Sequence, residues 1–227
     1  MLFRQLFDRE SSTYTYLLAP RTGGEALLID PVKEHLPQYL QLIQELELRL
    51  VFAVDTHVHA DHVTGLGALR SATDCTTIMG AQSKAECVSR KVIDGEHIRV
   101  GGLELRALYT PGHTDDSYSF VGPNCVFTGD TLLIRSTGRT DFQRGDPAAQ
   151  YQSLFGKLLK LPDETRVYPG HDYKGWTVST IGEEKAHNPR LQLRSERAYV
   201  KLMRSLKLAS PKLMDVAVPA NLGCGVP

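Results

Sequence analysis

The chain has 227 residues with 26 basic and 26 acidic side chains, so its formal net charge is zero. That length holds one large domain with a sizeable core, and the balance excludes a global field steering nucleic acid or an anionic membrane toward it. No stretch approaches the roughly 20 apolar residues needed to cross a bilayer, and the opening Met1 to Asp8 lacks an apolar core and cleavage site, so a cytoplasmic protein is expected.

In chain order, alternating apolar positions predict strands over Leu2 to Phe7, Tyr14 to Leu18 and Ala26 to Ile29. Leu36, Leu40, Ile43 and Leu46 recur at helical spacing and predict a helix covering that sheet. The run Leu50 to Val54 reads as a buried strand leading into a histidine-rich loop, followed by a helical stretch through Ala68 to Arg70. Further strands are predicted over Thr76 to Met79, Ile98 to Val100, Leu103 to Tyr109, Tyr118 to Val121 and Val126 to Thr128, with a tight turn at Gly101-Gly102. Asp146-Pro147 starts a helix to about Leu161, Arg166 to Tyr168 forms a last short strand, and Asn188-Pro189 opens a long amphipathic helix to about Leu206. Ser210-Pro211 opens an irregular apolar tail, and Ser89-Arg90-Lys91 reads as a solvated basic spot. Strands and helices in this order predict two sheets with helices outside, and every polar motif falls at a strand end.

The polar motifs carry the chemistry. His57-Val58-His59-Ala60-Asp61-His62 puts three imidazoles and a carboxylate into six residues. Alternate positions of an extended segment place His57 and His59 on one side, where they can converge on one point. Of the eight histidines, five lie in three glycine-marked turns, the other two being Pro111-Gly112-His113-Thr114 and Pro169-Gly170-His171-Asp172. Thr128-Gly129-Asp130 ends another apolar run with a carboxylate, which is costly to bury unless it is paired or holds a cation. Imidazole nitrogen with carboxylate oxygen suits zinc, iron or manganese, and without neighbouring cysteines the pattern points to a catalytic ion rather than a structural zinc. The four cysteines, Cys75, Cys87, Cys125 and Cys224, show no paired spacing and are expected as free thiols, with Cys224 exposed in its glycine-flanked tail. His35, His97 and His187 lack partner motifs and are assigned no role.

From about Leu17 onward the chain resembles the metallo-β-lactamase superfamily, on the four motifs ending in His62, His113, Asp130 and His171-Asp172. The strings Gly129 to Arg135, Gly138 to Gln143, Asn188 to Leu191 and Val218 to Gly225 are similar more narrowly to the persulfide dioxygenases, the ethylmalonic-encephalopathy-protein-like branch of glutathione-dependent sulfur dioxygenases. The resemblance implies an α/β fold, an αββα sandwich of two mixed β-sheets flanked by helices, forming a single domain over residues 1–227. It also implies one ferrous ion, Fe(II), per chain, held by His57, His113 and Asp130 and surrounded by His59, Asp61, His62 and His171.

The activity implied is oxidation of glutathione persulfide by dioxygen to sulfite and glutathione, with a homodimer as a family expectation. The same side chains could instead build the two-zinc site of a hydroxyacylglutathione hydrolase, and spacing does not separate the two. Glutathione carries two carboxylates, so its pocket needs a cation. Arg139 is the first candidate, with an ion pair to Asp141 as the competing use of its guanidinium, followed by Tyr173 and then Arg190. Cys224 is expected to approach the active site, because its tail has no apolar face long enough to form a layer of its own.

Overall fold

Runs of buried residues build the first sheet of the computed structural model, which describes residues 1–193, 195–209 and 213–225. Leu2–Phe7 (β1), Tyr14–Ala19 (β2) and Glu25–Ile29 (β3) pair antiparallel, with Leu2 opposite Ala19 and Phe7 opposite Tyr14. The chain then returns through the helix Leu36–Glu45 (α1), so Arg49–Val54 (β4) lies parallel to β3, a pairing that requires such a crossover. The step repeats through Leu66–Thr73 (α2) to Thr76–Gly80 (β5), and Arg90–Val92 (β6) completes a six-stranded mixed sheet in sequential order. Its core gathers Leu17, Leu28, Leu50, Leu66, Leu69 and Met79.

The second mixed sheet runs in reverse order through His97–Val100 (β7), Leu103–Tyr109 (β8), Tyr118–Gly122 (β9), Cys125–Gly129 (β10), Arg166–Pro169 (β11) and Ser179–Thr180 (β12). Here β10 and β11 are parallel, joined by a helix starting at Pro147–Tyr151 (α3). Asp146 caps that helix by accepting the Ala148 amide at 2.8 Å. The helix continues in wider turns over Gln152–Lys157 and tightens over Leu158–Lys160, burying Leu154 and Leu158 among Val126, Val167 and Tyr199. By contacts the chain divides into two units, Met1–Val92 with His97–Leu105 and Ser210–Pro227, and Ile93–Glu96 with Arg106–Ala209.

Several expectations need correction. Tyr39, not Leu40, is the buried centre of α1, because its hydroxyl meets Thr15 and the Val32 amide at 3.0 Å each and can therefore be buried. Arg90 and Lys91 do form a solvated basic spot, with Lys91 exposed, but they lie in a strand, β6, and the Lys91 ammonium bonds the Ser83 carbonyl. Asn188 does not start the long helix. It ends Ile181–His187 (α4), where its side-chain amide donates to Glu184 and to the Ser136 carbonyl. The next helix, Glu196–Ser205 (α5), starts instead at Ser195, whose hydroxyl caps the Ala198 amide. The sequence did signal α4, since Thr180 and Glu183 have capping-box spacing and the Thr180 hydroxyl accepts the Glu183 amide.

The tail start expected at Ser210-Pro211 lies outside the described residues, and the rest of the tail is not irregular: Met214–Leu222 forms a helix (α6). Nor is Cys224 an exposed free thiol. It is fully buried and bonded to Cys87, 137 positions earlier, while Cys75 and Cys125 are free and buried. The two partners are too distant in sequence for spacing to reveal the pair.

A bond closing so long a loop restricts the unfolded chain, so Cys224→Ser is expected to lower stability by about 2–4 kcal/mol. Urea unfolding under oxidising conditions should show that gap, and the two proteins should converge once reductant is added. Equal midpoints without reductant would count against the bond.

Candidate metal centre

In the first unit the polar motif begins where β4 ends. Asp30, just past β3, is buried and takes the Thr56 amide at 2.7 Å and the Thr56 hydroxyl at 3.0 Å. That hydroxyl has one proton and gives it to Asp30, so at 2.9 Å from His57 Nδ1 it must accept the ring proton. His57 is thereby held in the tautomer whose Nε2 lone pair is available to an ion. Burial pushes the Asp30 carboxyl above the usual range, against the opposing effects of His57 and the Thr56 bonds. Sequence reasoning passed over Asp30, although it carries the same strand-end signal as Asp130.

The three imidazoles of the loop do converge, with ring centroids 4.2 Å apart for His57 and His59 and 4.3 Å for His59 and His62, on a turn rather than an extended segment. His59 Nε2 lies 3.2 Å from Asp30, and His62 Nδ1 lies 2.7 Å from Asp61 Oδ2. Asp61 Oδ2 also accepts the Thr13 hydroxyl at 2.9 Å. Candidate donor atoms of His59, Asp61 and His62, and separately of Asp30, Asp55 and His59, lie within 4.8 Å of one another.

In the second unit Asp130 is the focus. Its Oδ2 lies 3.5 Å from both His113 Nε2 and His171 Nε2, while its buried Oδ1 has no hydrogen-bond partner. A separation of 3.5 Å is long for a charged hydrogen bond, but fits two atoms sharing an ion about 2.1 Å from each. His113 Nδ1 donates to the Arg139 carbonyl at 2.8 Å, which leaves Nε2 as its ligand atom. Two glycines permit this crowding. A Cβ on Gly170 would stand 2.6 Å from Asp130 Oδ1, and one on Gly138 would stand 2.1 Å from the Asp130 carbonyl and 3.0 Å from the His113 ring. A partnerless buried carboxylate oxygen beside the tautomer-fixed His113 imidazole fits a divalent cation, and costs free energy without one.

The proposed substrate residues fall in different settings. Arg139 grips Asp141 with two bonds of 2.7 and 2.8 Å, donates to the Ala209 carbonyl at 2.5 Å and lies over the Phe142 ring. Those bonds hold Asp141 below the usual carboxylate range. Arg190 is turned inward onto the Thr137 carbonyl and hydroxyl, where burial lowers the pKa of its guanidinium. Tyr173 is 72% exposed, its ring stacked parallel on His171 at 5.8 Å. The turn beneath it is shaped by Asp172, whose Oδ2 accepts the Lys174 and Trp176 amides at 2.7 Å each.

Compared with known proteins, residues 8–87 and 88–171 match the Metallo-beta-lactamase superfamily. The chain is 48% identical over its whole length to "Persulfide dioxygenase ETHE1, mitochondrial" of Homo sapiens, covering 89% of that protein. The crystal structure of ETHE1 from Myxococcus xanthus superposes with a TM-score of 0.97 at 53% identity, with both chains fully covered. A hydroxyacylglutathione hydrolase of Idiomarina loihiensis is 31% identical, over 92% of this chain and 80% of that one. Among the described residues no helix is long and apolar enough to cross a membrane.

Proposed function

The chain belongs to the metallo-β-lactamase superfamily, and from that premise we propose that it is a persulfide dioxygenase converting glutathione persulfide and dioxygen to sulfite and glutathione at one ferrous ion. The observation carrying this reading is full-length agreement with two proteins named ETHE1, against more distant agreement with the hydrolase. We also propose that residues 1–227 form a single domain, a reading supported by a family match that reaches into both units.

The ion would be held by His57, His113 and Asp130. When bound by two imidazoles and a carboxylate, a ferrous ion would supply the redox chemistry that joins a sulfur anion and dioxygen. The residues do the rest. Thr56 and the Arg139 carbonyl keep His57 and His113 in the ligating tautomer, and buried Asp130 balances the cation's charge. Around that ion Asp61 bonds Thr13 and His62, and His59 bonds Asp30. His171 sits beside Asp130 and orients Tyr173.

Arg139 and the exposed Tyr173 are the proposed contacts to the glutathione carboxylates and backbone, with the substrate carboxylate exchanging for Asp141 on the guanidinium. Arg190 supports them through Thr137, next to Gly138. A cytoplasmic location and a homodimer belong to the same proposal and rest on composition and resemblance, although the human relative is named mitochondrial.

Supplying glutathione persulfide in air should yield sulfite and glutathione in equal amounts, with no sulfite under argon and no cleavage of lactoylglutathione above background. Thioester cleavage without sulfite would transfer the chain to the hydrolase branch.

A further inference from the structure

We propose that Asn221 is a positioning residue for the histidine loop, and that α6 serves to deliver it. The inference rests on the metal-centre reading above, but concerns a side chain that the reaction itself does not use.

Asn221 is 2% exposed, and its side chain is fully engaged on one stretch of backbone. Its Nδ2 donates to the His59 carbonyl at 2.9 Å and the His62 carbonyl at 2.8 Å, while its Oδ1 accepts the Thr64 amide at 2.8 Å. Both amide protons and an oxygen lone pair are thus spent on His59 to Thr64, the turn that presents His59, Asp61 and His62. No strand or helix runs between Val54 and Leu66, and the isolated bridge of Thr64 with Val32 uses the Val63 carbonyl and the Gly65 amide rather than the groups that Asn221 holds. Those groups are met by one side chain, 162 positions from His59 and 159 from His62.

The delivery is as well built as the contact. Just past α6, the Cys224 carbonyl accepts the Gly67 amide at 2.9 Å, and the Lys33 ammonium donates to the Gly225 carbonyl at 2.6 Å. Gly225 packs so closely that a Cβ there would stand 2.1 Å from the Thr64 carbonyl. The Cys87–Cys224 bond ties the same segment to the loop between β5 and β6. Asn221 therefore fixes the backbone of the loop from one side, while Thr13 and Asp30 fix its imidazoles and carboxylate from the other. A carbonyl held at His59 limits how far the ring of His57, two residues earlier, can swing.

Asn221→Asp separates positioning from simple packing. It keeps the volume and the acceptor for Thr64, but turns the donor into an oxygen facing two carbonyl oxygens. Metal-free Asn221→Asp, Asn221→Ala and parent protein would be titrated with Co(II), following the visible ligand-field bands, alongside thermal unfolding of the metal-free forms. The expected result is a 10- to 100-fold weaker Co(II) affinity, the range seen when groups supporting metal ligands are removed, with shifted bands in folded Asn221→Asp. Turnover of glutathione persulfide should fall in kcat with KM within about twofold of the parent. Unchanged affinity and bands with only a lower Tm would overturn the proposal. If Asn221→Ala does not fold, Asn221→Asp carries the comparison. If the parent binds Co(II) yet oxidises no persulfide when loaded with iron, the activity assignment fails while the Co(II) comparison still decides the role of Asn221.

Discussion

Replacing Asp130 by alanine is expected to abolish metal loading and turnover together. Asp130 faces both His113 and His171 at 3.5 Å, and its other oxygen is buried without a hydrogen bond. A ligand contributing several kcal/mol to charge stabilisation corresponds to a loss of at least about 10³-fold in kcat. The stability of the metal-free protein should move the other way. Removing a buried, under-satisfied carboxylate relieves a desolvation cost, so metal-free Asp130→Ala should melt no lower than metal-free parent. Metal analysis of protein purified under argon, with kcat and Tm, checks all three. Retained iron with retained turnover would refute the ligand role, and a large drop in the metal-free Tm would make Asp130 a structural carboxylate instead.

Gly138→Ala carries the second large effect, from a residue with no functional group at all. The added methyl would stand 2.1 Å from the Asp130 carbonyl and 3.0 Å from the His113 ring, where Gly138 now donates its amide to Asp130 at 2.8 Å. Backbone must give way, and with it the Arg139 carbonyl that holds the His113 tautomer. The expected cost is about 1–3 kcal/mol of stability from overpacking and a 10- to 100-fold loss of metal affinity from the disturbed support. Gly156→Ala is the control. A Cβ there meets only the Gln152 side chain, at 4.0 Å, so stability should be unchanged or slightly raised. Metal titration and urea unfolding of both variants test the contrast. Parent-like metal affinity in Gly138→Ala would mean that the approach of the two loops is not what sets the ligands.

Both effects concern positions that the sequence exposes unequally. The strand-end carboxylate Asp130 and the glycine-flanked histidines were legible because burying such groups needs a reason, and the strands predicted over Leu2 to Phe7 and Leu103 to Tyr109 coincide with those observed. The helical stretch from Asp146 was legible for a similarly local reason, an Asp-Pro start and an apolar stripe ending in Leu158.

What sequence reasoning missed depends on partners distant along the chain. Asn221 reads as one polar residue in an apolar tail until α6 brings it to His59 and His62. Cys87 and Cys224 reveal their pairing only in three dimensions. Asn188-Pro189 imitates a helix start, and only the contact to Glu184 shows that it ends the preceding helix. For Arg139 the chain offered two uses of one guanidinium, and the bond to Asp141 is the one the structure holds.

The central claim is one ferrous ion where sulfur and dioxygen meet. Protein purified without air would be analysed for iron and zinc, then supplied with glutathione persulfide in an oxygen electrode. The account predicts close to one iron per chain and one dioxygen consumed per persulfide. Two zinc ions per chain, with no oxygen uptake after iron is offered, would contradict it.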